Sequence, residues 1–84
     1  MRLIGTHQRD HDPVRIQVES ARAQIFLLLS WPDEAIGASE QSLAYAEKVL
    51  RQAAALAADF DDATRRSLRR AQQRVAAARA AVAA

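Results

Sequence analysis

"LAYAEKVLRQAAALAADF", residues 43–60, decides the fold. Leu43, Ala46, Leu50, Ala53, Ala57 and Phe60 recur at alternating steps of three and four residues, which puts them on one stripe of an α-helix. No glycine or proline interrupts the stretch, and Glu47, Lys48 and Arg51 fall off the stripe. Read backward, the stripe reaches Ile36, with Ser39 suited to cap the helix start. The spacing predicts a helix over about 39–58.

The pattern repeats downstream. "DFDD" at 59–62 supplies carboxylates where a new helix wants them, at its positive N-terminal end. Leu68, Ala71, Val75, Ala78 and Val82 then form a second seam, predicting a helix over about 62–82. Two such helices joined by about four residues fold back as an antiparallel pair, and alanine at alternate seam positions brings their axes close. Folding about residue 60 or 61 sets Leu43 against Ala78, Leu50 against Ala71 and Ala53 against Leu68. The same register puts Glu40 near Arg79, and Glu47 near Gln72 and Arg74.

Upstream, Asp12 can cap a helix that starts with Pro13, where a missing N–H costs nothing. Val14, Val18, Ala21, Ile25 and Leu28 mark the core stripe of a helix over about 13–29. In "SWPDEAIGAS", residues 30–39, Ser30 and Asp33 suggest a capping box and Gly37 weakens any helix beginning there, so the connector should hold one helical turn. Residues 1–11 have no usable period and read as a flexible or draped arm ahead of one helical domain, 12–84. The expected fold is all-α: a three-helix up-down-up bundle built on a long alanine-rich helical hairpin.

Composition agrees. Twenty alanines against 22 larger hydrophobes favour helices with a thin core, and two glycines and two prolines are too few to punctuate several hairpins. The absence of cysteine excludes disulfides and thiolate metal sites. The longest apolar run, Ile25 to Leu29, is far short of the roughly 20 residues of a membrane span. The first residues lack the apolar segment and cleavage site of a secretory signal, so a cytoplasmic location is expected. Eleven arginines against one lysine, with abundant alanine, point to a GC-rich bacterial or phage genome.

"TRRSLRRAQQR", residues 64–74, raises a nucleic-acid reading in a chain of isoelectric point about 9.9. Charge by segment offers another account. Residues 30–62 carry two basic and seven acidic side chains, and residues 63–84 carry six basic and none acidic. The basic helix thus answers an acidic one, and such pairs select register more than they stabilise. Arg69 and Arg70 fall on outer positions and read as a solvated face. The alternative assigns Arg65, Arg66, Arg69, Arg70 and Arg74 to an anionic partner, nucleic acid or a charged surface. Against it, no aromatics interleave the arginines, and no helix-turn-helix signature is present.

Sites for chemistry are sparse. His7, Asp10 and His11 are metal-ligand types but lie in an arm without helical period, and Asp59, Asp61 and Asp62 lack the glycine and distal glutamate of a calcium loop. No glycine-bracketed nucleophile or phosphate loop occurs. No enzyme activity, metal, cofactor or small-molecule substrate is expected.

The informative excess is "IFLLLSW", residues 25–31. Beyond the core stripe, Ile16, Ala23, Phe26 and Leu27 form a second apolar face on the first helix, with Trp31 at its edge. A helix apolar on two faces needs two neighbours. The arm could fold over it through Leu3 and Ile4, a second copy could cover it, or a different protein could. The sequence therefore reads as a small non-catalytic protein–protein interaction module, an adaptor, chaperone, inhibitor or accessory subunit, binding a protein partner or itself through Ile16, Ala23, Phe26, Leu27 and Trp31.

Overall fold

A computed structural model describes residues 13–83. The arm, the Asp12 cap, the covering role of Leu3 and Ile4, and the His7, Asp10, His11 group lie outside the described residues. Four α-helices follow one another: α1 Pro13–Ser30, α2 Asp33–Ile36, α3 Glu40–Ala55 and α4 Asp62–Ala83. A single 3-10 turn, Ala57–Asp59, separates α3 from α4. The fold is an all-α bundle in which α1, α3 and α4 pack against one another pairwise. None of the described helices is long and apolar enough to cross a membrane.

The helix boundaries follow from local chemistry. Ser39 sits in extended backbone, and its hydroxyl accepts the Ser42 amide at 3.0 Å, opening α3. Asp61 opens α4 by accepting the Thr64 amide at 2.8 Å. The Thr64 hydroxyl bonds the same carboxylate, which holds Asp61 below its ordinary pKa, helped by the nearby charges of Arg22 and Arg66. Thr64 itself is buried, a polar core residue the apolar pattern does not reveal. The expected Ser30–Asp33 capping box does not form. Ser30 instead donates to the Leu27 carbonyl at 2.6 Å, closing α1, and Pro32 precedes α2 without a side-chain cap. Helix α3 also stops three residues short of the expected 58: the Leu56 amide turns to the Ala53 carbonyl at 3.0 Å, tightening the end into the 3-10 turn. That turn carries Phe60 back into the core.

The core combines Ala21, Ile25 and Leu28 of α1 with Ile36 of α2 and Leu43, Ala46, Val49, Leu50 and Ala53 of α3. Phe60 and the α4 residues Leu68, Ala71 and Val75 complete it. Val49 was outside the expected seam; it is buried because α3 touches both α1 and α4 and so needs a wider apolar arc. Val14 and Val82, expected on the seam, are 48% and 53% exposed. Both sit in terminal turns. Glu40, the first residue of α3, is level with Arg79, so α4 runs a turn past α3 before reaching Val82. At the other end α1 meets the last residues of α3 at Ile16 and Gln17, already beyond Val14.

Antiparallel pairing of α3 and α4 is marked at both ends. Arg79 binds Glu40 through two nitrogens at 2.8 Å each, as the register required. It also binds Glu47, at 2.8 and 3.0 Å. Glu47 shares a groove with Gln72 as expected, but its cation is Arg79 and not Arg74. Arg79 is long enough to bridge carboxylates two turns apart, whereas Arg74 projects from the opposite flank of α4. At the far end, Arg65 donates to the Ala57 and Ala58 carbonyls at 3.0 and 3.1 Å, capping the 3-10 turn.

The Arg79 hydrogen bonds hold both glutamates below their ordinary pKa of 4.5 and push the guanidinium pKa up. In the unfolded chain the two carboxyls titrate near the ordinary value. The stabilisation from this triad is therefore complete above pH 4.5 and is lost as pH falls through the lowered folded values. Arg79→Met should flatten the fall of the thermal midpoint below that pH. Parallel curves for parent and variant would show that the triad contributes nothing.

Candidate functional site

The residues singled out by the sequence separate into two faces and one capping device. On α1, Ile16, Ala23 and Leu27 stand seven and four residues apart, opposite the buried Ile25 by the helical period of about 100° per residue. Phe26 lies next to this line, on the flank turned toward α4. Ile16, Phe26 and Leu27 are 50%, 49% and 50% exposed, although each is a large hydrophobe in a well-formed helix. Ala23 is exposed between them.

Trp31 is placed differently from the other four. It is half-buried, packs against the core, and stacks on Tyr45 of α3 with centroids 6.1 Å apart and planes 19° apart. It closes the end of the bundle and contributes only an edge to the outer face. The reason is the break at Ser30, which turns the chain inward before Trp31 can continue the helical stripe.

The five arginines of the alternative site also divide. Arg65 is committed to the carbonyls of the preceding turn. Arg74 reaches across to the end of α1: its Nη1 donates to the Leu28 and Leu29 carbonyls at 3.4 and 3.0 Å, and its Nη2 to the Trp31 carbonyl at 2.7 Å. Its Nη2 and Nε also bind Asp33 Oδ1, at 2.6 and 3.1 Å. One guanidinium thus serves the carbonyls at a helix C-terminus, where positive charge is favoured; of these the Leu28 carbonyl also accepts the Trp31 amide at 3.2 Å. Sequence reasoning missed this use. Arg66, Arg69 and Arg70 are exposed and make no hydrogen bond or salt bridge among the described residues, although Arg66 lies near enough to Asp61 to help lower its pKa.

Two contacts align α1 with α4. Arg74 grips α1 at Leu28 and Leu29, and Asp61 feels both Arg22 of α1 and Arg66 of α4. The helices therefore run side by side in the same direction. One turn before these grips, Phe26 and Arg70 are at about the same level, but only Arg74 bonds α1; the helical period turns Arg66 and Arg69 away from the buried Thr64, Leu68, Ala71 and Val75, onto the outer surface of α4. The other flank of α1 is uncharged: Gln17, Ser20 and Gln24 face Gln52, Ala55 and Leu56 of α3 across an open groove of about 540 Å³.

The chain matches no family model, no curated protein and no solved structure. Its functional reading rests on this geometry alone. What the arrangement can do chemically is present half-exposed apolar side chains on the outer face of α1 and, separately, exposed arginines on α4.

Proposed function

We propose that the chain is a small non-catalytic protein–protein interaction module that holds a protein partner, or a second copy of itself, through the outer face of α1. One observation carries this reading: Ile16, Phe26 and Leu27 each leave about half of a large apolar side chain in water on a helix whose other face is already filled. Full burial of such a side chain is worth roughly 1.5 to 3 kcal/mol, so covering the exposed halves of three supplies a substantial share of a modest association energy. An aromatic anchor such as Phe26 is the usual energetic centre of such a patch. Adaptor, chaperone, inhibitor and accessory-subunit roles all use surfaces of this kind.

Phe26→Asp should lower the particle mass seen by light scattering, or abolish retention of the partner that the parent retains, with helicity by circular dichroism preserved. The reading fails if the parent is a monomer that retains nothing and Phe26→Asp unfolds it. A second reading, binding of an anionic partner through α4, is favoured by the three exposed arginines Arg66, Arg69 and Arg70. It is weakened because Arg65 and Arg74 already serve the chain's own carbonyls.

A further inference from the structure

The first half of α4 carries charge that the fold does not use. Residues 63–84 hold six basic side chains and no acidic one. Arg65, Arg74 and Arg79 serve the chain's own carbonyls and carboxylates. Arg66, Arg69 and Arg70 remain, all exposed. The carboxylates near them are engaged by other groups: Asp61 accepts from Thr64, Asp62 pairs with Arg65 at 3.6 Å, and Arg79 holds Glu47.

The helical period sets these three arginines within an arc of about 100°, with Arg66 and Arg70 opposite the buried Leu68. Arg69 stands seven residues before Ala76, on the same line of α4, and Ala76 lines the groove of about 420 Å³ that α4 shares with α3. Arg51 of α3 lines that groove too and is likewise exposed. Glu47 and Gln72 share the groove; one turn on along α3 and one turn back along the antiparallel α4, Arg51 and Arg69 reach about the same level. We propose that the outer surface of α4, through Arg51, Arg66, Arg69 and Arg70, docks the phosphate backbone of a nucleic-acid duplex by charge, without reading its bases. This deepens the second reading above, an anionic partner on α4, and rests on it; the α1 face takes no part.

The make-up of the surface selects among polyanions. Single strands are held by bases stacked on aromatic side chains, and bilayer surfaces by apolar side chains that enter beside the cations. This surface offers neither. The only large hydrophobe between Asp62 and Arg74 is Leu68, which is buried, and the exposed large hydrophobes among the described residues are on α1, at Tyr45 and at Val82. An amphipathic acidic helix would find no apolar stripe to lie on, for the same reason. A duplex needs only close-set cations on a rigid surface, since it carries one negative charge per about 1.7 Å of axis. Arginine forks fit its phosphate oxygens. Further along the same face Ala77 and Ala80 are exposed and have no bulk to hold a duplex away. The missing helix-turn-helix removes base readout and leaves backbone contact untouched.

The test uses the full chain and a labelled duplex DNA of roughly two helical turns, read by fluorescence anisotropy. Neutralising three to four phosphates should give a log–log salt slope of about −3, so binding weakens roughly sixtyfold between about 50 and 200 mM salt. The double variant Arg69→Gln, Arg70→Gln should bind about tenfold more weakly and flatten the slope by about 2, with unchanged circular dichroism. Arg15→Gln with Lys48→Gln removes the same charge elsewhere and should change affinity by about twofold or less, as should Phe26→Asp. Single-stranded DNA, phosphatidylglycerol vesicles and poly-glutamate should each bind more weakly than the duplex, and duplex RNA should bind as duplex DNA does. The inference is overturned if the Arg15, Lys48 pair costs as much as the Arg69, Arg70 pair, because overall charge and not this surface would then be responsible. It is equally overturned if Phe26→Asp abolishes duplex binding, or if single strands or vesicles bind more tightly than the duplex. If poly-glutamate binds more tightly and Arg69→Gln, Arg70→Gln abolishes it, the anionic-partner reading stands and the duplex falls. If none of these polyanions binds at low salt, both fall.

Discussion

Leu43→Ala should cost about 2 to 5 kcal/mol of unfolding free energy, the range for deleting a large aliphatic side chain from a packed interior. Leu43 has no exposed surface and sits on the first full turn of α3, one of seven leucine, isoleucine and phenylalanine side chains in a core completed by four alanines and two valines. Loss of one large side chain from so small a core leaves a cavity that its surroundings close only in part. For a chain of 84 residues the total stability is on the order of 4 to 13 kcal/mol, so this one change removes a large fraction of it. Alanine preserves helix propensity, which isolates the cavity as the cause. Urea unfolding at constant slope should show the loss, with Leu27→Ala, half-exposed on the outer face, costing well under half as much. Equal costs for the two would mean that the outer face of α1 is buried in solution.

Arg74→Ala should be the most damaging change to a charged residue, at about 2 to 3 kcal/mol. Its guanidinium serves three carbonyls at the α1 to α2 break as well as Asp33, and truncation strands those of Leu29 and Trp31, while the Leu28 carbonyl keeps the Trp31 amide. Two controls separate capping from simple ion pairing. Asp33, with a side chain 86% exposed, should tolerate Asp33→Ala at small cost because surface pairs contribute little. Arg74→Lys should recover only part of the loss, since an ammonium cannot reproduce the planar fork. Hydrogen exchange should quicken around residues 31–36 in Arg74→Ala. If Asp33→Ala costs as much as Arg74→Ala, the salt bridge is the important bond and the capping account is wrong.

Arg74 also shows why the outer site was only partly legible. In sequence it is one of five arginines in eleven residues and indistinguishable from Arg70, four positions earlier. Their different fates depend on where α1 ends. Arg74 reaches the carbonyls where α1 ends, and Arg70, one turn earlier, stays exposed. Glu47 has a similar history: its position beside α4 was correct, but two arginines on that helix were within reach by register alone, and side-chain direction selected Arg79.

The sequence by itself determined the local features of this protein: three long helices and one connecting turn, the caps at Ser39 and Asp61, the alanine seam of α3 and α4, and the Glu40–Arg79 pair. These follow from the helical period and from short-range hydrogen bonding, which neighbouring residues set without reference to the rest of the chain. The tertiary structure alone decided the relative lengths of the packed helices, which expose Val14 and Val82, and the inward turn that stacks Trp31 on Tyr45. It also decided which arginines serve the chain's own carbonyls, Arg65 and Arg74. Those outcomes depend on where one helix ends alongside another, a relation between residues up to 46 positions apart that no local pattern encodes.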